Sequence, residues 1–396
     1  MTAIDLGAPD AIADPHSLFH ELRAIAPVHR SDFHRAWLVL SHAGVMAAFR
    51  DQRLSADRVP AFERMAESRA PGFQRVVDLL RGWMVFRDDP DHDRLRDPVR
   101  RAFTPRRVEA LAPSIERIAD DLLDGLEGGG DLRATFAGPL PALVIADLLG
   151  IPRADRAEFQ TWSDLLSAVV FAAESRSSSS DSAIAGAEHF WRYFTELCDH
   201  RRRHPGDDLV SDLVASVGPG GLEAVELVGA CTLLLFAGHE TTTGLLASGT
   251  RVLLDAPGEV ERLRADPSLW ATATDELLRL EGPAKLMVRR AKVDLEIEGT
   301  PIAAGDSVWL VILAADRDPA VFVDPDRVDV GRDPNLHLAL GWGIHHCLGA
   351  PLARMEGRIA LRRLFERYPA LAAVGPARWG GGVMGRGIAR LEVTVD

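Results

Sequence analysis

Leu340-Gly341-Trp342-Gly343-Ile344-His345-His346-Cys347-Leu348-Gly349-Ala350 is the stretch that decides what this chain folds into. One cysteine stands between glycines, and an amphipathic pattern follows over 351–367. Glycines permit positive φ and let the backbone come close to a large flat group. A helix starting just past the sulfur would offer unpaired N–H groups and a positive dipole end, both of which favour a thiolate. A thiolate on such a turn, with His345 two residues before it, suits ligation of a haem iron. Two plainer readings compete. A lone cysteine is commonly a small buried hydrophobe, and His345, His346 and Cys347 are alternatively zinc ligands. Adjacent residues seldom converge on one tetrahedral ion, however, and the sequence shows no fourth ligand at suitable spacing.

Composition narrows the field. A chain of 396 residues has room for two or three ordinary domains or one large one. Hydrophobic residues make up 47%, ample for a core, yet no run of eighteen apolar residues is present to span a bilayer. The first fourteen residues carry acids and no basic cluster, so neither a signal nor a transit peptide is expected. Cys198, Cys231 and Cys347 are too few for a disulfide framework and fit a reducing cytoplasm. A net charge of −13 argues against a nucleic-acid partner. Lys285 and Lys292 are the two lysines among 45 basic residues, a bias typical of GC-rich coding DNA.

Neither a tandem repeat nor a long linker divides the chain, so a single domain over 1–396 is expected. A 3.6-residue pattern dominates roughly 105–280. Short apolar or alternating runs predict strands at 37–40, 295–298, 308–312 and 391–395, within β-containing parts at roughly 27–60 and 285–396. The expected fold is mainly α with small β-sheets. A serine-rich stretch at 175–182 separates helical patterns at 159–170 and 184–203 and reads as a solvated loop.

Four more constellations carry information. In Leu233-Leu-Leu-Phe-Ala-Gly-His-Glu-Thr-Thr-Thr243, small residues at Ala237 and Gly238 leave room for a flat group, and threonine can divert a carbonyl and widen the helix. Glu240 and Thr241 form an acid–alcohol pair able to hold water and pass protons. The plainer alternative is a buried helix with a glycine kink. Glu276 and Arg279, three apart, share a helix face and can pair. His92 and Arg96, one turn apart, can present donors to one anion. Finally, the Pro and Asp spacing over 314–332 marks successive tight turns.

Appearing in this order along essentially the whole chain, these motifs resemble those of the cytochrome P450 family, in its soluble bacterial class. The resemblance implies a single large domain with haem b between the Ala-Gly-x-x-Thr helix and the cysteine loop. It makes Cys347 the iron ligand, with Leu340, Gly341, Gly349, Ala237 and Gly238 around the cofactor. His92, Arg96, Arg289 and His345 fall at the propionate positions, where bidentate arginine bonds suit carboxylates. Glu240 and Thr241 fall at the proton-delivery positions. Glu276 and Arg279 become a structural pair anchoring the meander near Asp329 and Arg332, and 175–182 falls between two lid helices. Implied pocket residues are Trp83, Met84, Val85, Phe236, Ala237, Lys285, Met287 and Met384. Lys285 is unusual there: its partner is a substrate acceptor, a haem propionate or a carboxylate such as Glu281.

The implied activity is a cytoplasmic monooxygenase that activates O2 with two electrons from a ferredoxin and its ferredoxin reductase. It would hydroxylate or epoxidise a small organic substrate in bacterial secondary metabolism, with no membrane or nucleic-acid partner. Oxidative coupling, desaturation and peroxygenation on the same haem are alternatives, as is a non-catalytic haem sensor, against which the intact Glu240–Thr241 pair speaks. Arg96, Arg100, Arg101, Arg354, Arg358 and Arg362 are expected on the thiolate side, where an acidic ferredoxin would dock. Four positions depart from the family pattern. Leu340 and Val328 replace common aromatics, as does Leu280, and Asp316 replaces a usual asparagine.

Overall fold

The computed structural model describes residues 4–70, 72–170, 180–381 and 384–396. It is mainly helical with four small sheets, as expected from the sequence pattern. The chain divides into two compact units, one of residues up to Ser55, Pro113–Leu140 and Thr241–Asp396, the other of Ala56–Ala112 and Pro141–Glu240.

The first unit holds all four sheets, and none of their strands is longer than five residues. Its five-stranded sheet runs Val28–Ser31, Ala36–Val39, Ser307–Leu310, Met287–Ala291, Leu54–Ser55. Ala36–Val39 pairs parallel with Ser307–Leu310, and the remaining pairs are antiparallel. Side chains alternate across a strand, and here both faces are covered. Val39, Val308 and Leu310 enter one apolar cluster with Phe49 and Ile312. Leu38, Trp309 and Val311 enter another with Phe19 and Leu286. That is why these strands read as apolar runs rather than as clean alternation. Leu295–Ile297 and Thr300–Ile302 form a hairpin whose two-residue turn, Glu298-Gly299, has positive φ at both positions (47° and 78°), the geometry that matches strand twist.

All four predicted strands are present, shifted by a residue or two. Others escaped the sequence reading. Gly130–Asp131 and Ala372–Ala373 are two residues long, too short to show a period, and pair with Glu392–Thr394.

The second unit is helical. It includes Val59–Glu67, Phe73–Arg81, Asp91–Ala102 and Ser180–Arg203. Phe159, Trp162, Phe190 and Tyr193 pack their rings at 5.0–6.5 Å. Of the expected serine-rich loop, 175–179 lies outside the described residues, and from Ser180 the chain is already helical.

The helix Ala224–Leu254 contributes residues to both units. Among the described residues it is the one helix long and apolar enough to cross a membrane, and its apolar window is 67% buried within the protein. It is a core helix. The local widening that threonine can cause is not seen in it: the helix is regular α throughout, and the π-helical turn lies instead at Arg133–Ala137.

Candidate functional site

In the first unit the cysteine loop is built as the glycine spacing predicts. Gly341 and Gly343 both take positive φ (70° and 72°), so a side chain at either would strain the turn. A Cβ at Gly343 would also sit 2.8 Å from the carbonyl oxygen of Phe49. His345 ends a single 3-10 turn over Gly343–His345. The Cys347 N–H donates to the Leu340 carbonyl at 2.8 Å, which folds the loop back on itself. Cys347 is half-buried, and the helix Ala350–Arg367 starts three residues later with Pro351 in its first turn. The sulfur therefore lies next to a helix N-terminus, where N–H groups and dipole favour its anionic form.

Arg289 lies in the strand Met287–Ala291, buried, with its guanidinium 5.7 Å from the centre of the Phe49 ring. Phe49 thus supports both Gly343 and Arg289, a role the sequence reading missed because an aromatic in an early amphipathic helix reads simply as core. Trp342 is 40% exposed and stacks under Arg50 at 5.2 Å, so its ring is held at the surface.

The helix Ala224–Leu254 carries the second group of candidates. Leu233 to Phe236 are buried, as are His239, Thr242 and Thr243, whereas Ala237 and Thr241 are exposed one turn apart on the same face. A small residue and a hydroxyl on an open face of a core helix suit a flat group and a proton path. Gly238 has a packing role in the helix as well. A Cβ there would approach Ile145 Cγ1 to 2.7 Å, so glycine is required for packing against the helix Pro139–Leu148. His239 was not singled out in the sequence. Its Nδ1 lies 2.8 Å from the Leu235 carbonyl and its Nε2 3.1 Å from Glu240 Oε1.

Elsewhere in the second unit, His92 is fully buried on the helix Asp91–Ala102, with Nδ1 3.1 Å from Asp93 Oδ1, and Arg96 follows one turn later, half-buried. Trp83 is buried against Phe86 and Phe236, with ring centres at 5.6 and 5.2 Å. Met84 is buried beside it and Val85 is exposed. In the first unit, Met287 and Met384 are partly buried against the two clusters of the five-stranded sheet.

Glu276 and Arg279 form a fully buried hub. Two bonds of 2.7 and 2.8 Å join them. Arg279 also donates to the carbonyls of Asp316 and Pro325 at 2.9 and 2.6 Å. Glu276 accepts from the Asp329 N–H, from Arg332 and from Asn335 at 3.0–3.2 Å. The pair thereby fastens the segment around Asp329 and Arg332 where the resemblance placed it. Because every lone pair and proton finds a partner, the buried charges are compensated.

Lys285 has a carboxylate partner. Its ammonium is buried on Glu281 at 2.9 Å, and the same carboxylate receives Arg386 at 2.7 Å and His16 at 2.8 Å. Burial alone would raise the Glu281 carboxyl, but Lys285, His16 and Arg386 outweigh it and hold it well below the usual range. Of the partners named for it from the sequence, the lysine therefore takes the carboxylate of Glu281.

Within the first unit the donor set fits haem b: a half-buried sulfur on a glycine turn at a helix N-terminus, and a buried arginine on the strand Met287–Ala291. Comparison with known proteins agrees. The Cytochrome P450 family model matches residues 269–373. The polyketide biosynthesis cytochrome P450 PksS of Bacillus subtilis is 38% identical, over 97% of this chain and 96% of its own. The cytochrome P450 monooxygenase PikC of Streptomyces venezuelae is 40% identical, over 98% and 94%. The crystal structure of P450BioI, in complex with an acyl carrier protein carrying hexadec-9Z-enoic acid, superposes with a TM-score of 0.91 at 34% identity, over 98% of this chain and all of that one. The chain belongs to the cytochrome P450 family. It is a haem b oxidoreductase of the monooxygenase type.

Proposed function

We propose that this single-domain protein hydroxylates or epoxidises a small organic molecule in bacterial secondary metabolism, using O2 and electrons from a ferredoxin and its reductase. The observation that carries the reading is Cys347, half-buried on a positive-φ glycine turn at the start of the helix Ala350–Arg367. Cys347 is the iron ligand. By the family resemblance, His92, Arg96, Arg289 and His345 would hold the propionates, and Leu340, Gly341 and Gly349 would shape the cysteine loop that holds the cofactor. Bound haem supplies the oxygen-activating chemistry; the chain binds it, orients substrate and manages protons. Ala237 keeps the helix face low, Thr241 orders water with its hydroxyl, and Glu240 supplies protons to it. Trp83, Met84, Val85, Phe236, Met287 and Met384 line the substrate side.

Names of relatives point to polyketide and acyl substrates, so macrolactones and fatty acids are the first compounds to screen for a low-spin to high-spin shift of the ferric Soret band. Turnover of such a compound under isotopically labelled O2 should place one labelled oxygen in the product. Unlabelled product would instead indicate coupling or desaturation. Thr241→Ala should keep haem and substrate affinity but release peroxide in place of product. Full coupling in that variant would remove Thr241 from the proton path.

The electron donor is proposed from charge. Arg354, Arg358 and Arg362 follow at four-residue spacing along the thiolate helix, and Arg358 is exposed. Arg100 and Arg101 are exposed on the helix Asp91–Ala102. Arginines on the helix that follows the cysteine, in an otherwise acidic chain, suit a small acidic ferredoxin.

A further inference from the structure

We propose that His239 is a positioning residue that keeps a proton on Glu240. The inference rests on the assignment of Glu240 to proton delivery and concerns what sets the state of that acid. A backbone carbonyl can only accept a hydrogen bond, so the 2.8 Å contact of His239 Nδ1 with the Leu235 carbonyl fixes a proton on Nδ1. In the neutral ring, Nε2 is then an acceptor. Nε2 lies 3.1 Å from Glu240 Oε1. An ionised carboxylate is an acceptor too, and two lone pairs at that distance repel. The contact is a hydrogen bond only when one proton lies between the two atoms.

That proton can reside on oxygen or on nitrogen. His239 is 1% exposed and the Glu240 side chain 18%, and separating charge at such a site costs more than keeping the pair neutral. The proton therefore resides on the carboxyl as Glu240 O–H···Nε2 His239. The alternative tautomer, with its proton on Nε2, would turn the Nδ1 lone pair onto the Leu235 oxygen. The helix backbone thus selects the ring state, and the ring selects the acid form of Glu240. When Glu240 gives its proton toward the Thr241 hydroxyl, it is left as a carboxylate facing the Nε2 lone pair. Taking one proton back from solvent restores the bond, with no change elsewhere.

Infrared difference spectra of the ferric haem-bound protein at neutral pH test this without turnover. Wild type minus Glu240→Gln should contain the C=O stretch of one protonated carboxyl group, shifted in D2O. His239→Phe should lose or shift that band, and His239→Gln, whose amide oxygen still accepts, should retain it. If neither histidine variant loads haem, the wild-type band assigned by Glu240→Gln decides alone. Absence of a protonated-carboxyl band in wild type, or the same band in His239→Phe, overturns the proposal. The activity reading fails separately: Glu240→Gln turning over a spin-shift ligand at the wild-type rate removes Glu240 from proton delivery, whatever the infrared band shows. If both readings hold, His239→Phe lowers coupled turnover by at least about tenfold.

Discussion

Asp316 is a departure from the family pattern whose surroundings decide its state. It is fully buried; its Oδ1 accepts from the Leu338 N–H at 2.6 Å. Burial pushes its carboxyl well above the ordinary range, against the opposing bond from Leu338 and the charges of Arg279 and Arg317. A proton on it leaves Oδ1 as the acceptor for the Leu338 N–H, while Oδ2 has no hydrogen-bond partner among the described residues. A raised folded-state value means the native protein binds a proton that the unfolded chain gives up above about pH 3.9. Stability is therefore lost as pH rises from there toward the folded value. Asp316→Asn should remove this dependence, so its advantage in thermal midpoint over wild type should grow from pH 5 to pH 8. An equal difference at both values would contradict the argument. Residues of this kind were legible as positions and illegible as states. Cys347 and the Glu240–Thr241 pair stand out in the sequence because the chemistry proposed for them needs those residue types. The protonation of Asp316 and the ring orientation of His239 depend on what surrounds them in space.

At the scale of elements, spacing was informative where it reflected a face and silent where it reflected a neighbour. The period-3.6 pattern gave the long helices, and the Glu276–Arg279 spacing gave a pair whose carbonyl and carboxylate contacts no spacing could show. Gly238 was read correctly as a place where bulk is excluded, but Ile145, ninety-three positions earlier in the chain, is what excludes it. Gly238→Ala should cost about 1–3 kcal/mol through overpacking. Ile145→Ala removes the colliding atom, so the two changes should be strongly non-additive in a double-mutant cycle. Additive costs in denaturation would place the constraint on Gly238 elsewhere. The two-residue strands went unpredicted for a related reason: pairing with Glu392–Thr394 creates them, and four residues of Gly, Asp and Ala carry no pattern.

On the scale of the whole chain, charges far apart in sequence settle what local reading left open. Glu281 receives Lys285, Arg386 from near the C-terminus and His16 from near the N-terminus. Glu281→Gln would leave two buried cations without their carboxylate, a loss of about 3–5 kcal/mol. Since the folded-state value of Glu281 is depressed, its contribution is present above the unfolded value of about 4.3 and lost as pH falls below it. The deficit of Glu281→Gln should accordingly be large at pH 7 and shrink in acid; a variant as stable as wild type at pH 7 would show the cluster to be energetically neutral.

Charge on the surface leads to a further test. First-electron transfer from an acidic ferredoxin should slow with rising salt and should slow further in Arg358→Glu. Rates indifferent to both would remove the thiolate helix from the docking face. The functional readings, from the electron donor to the proton path, presuppose that the Cys347 sulfur ligates haem iron. The most direct measurement is the CO difference spectrum of the reduced haem protein: wild type should show the strongly red-shifted Soret band of a thiolate-ligated haem, and Cys347→Ala should lose it. The same band surviving in Cys347→Ala would contradict the account.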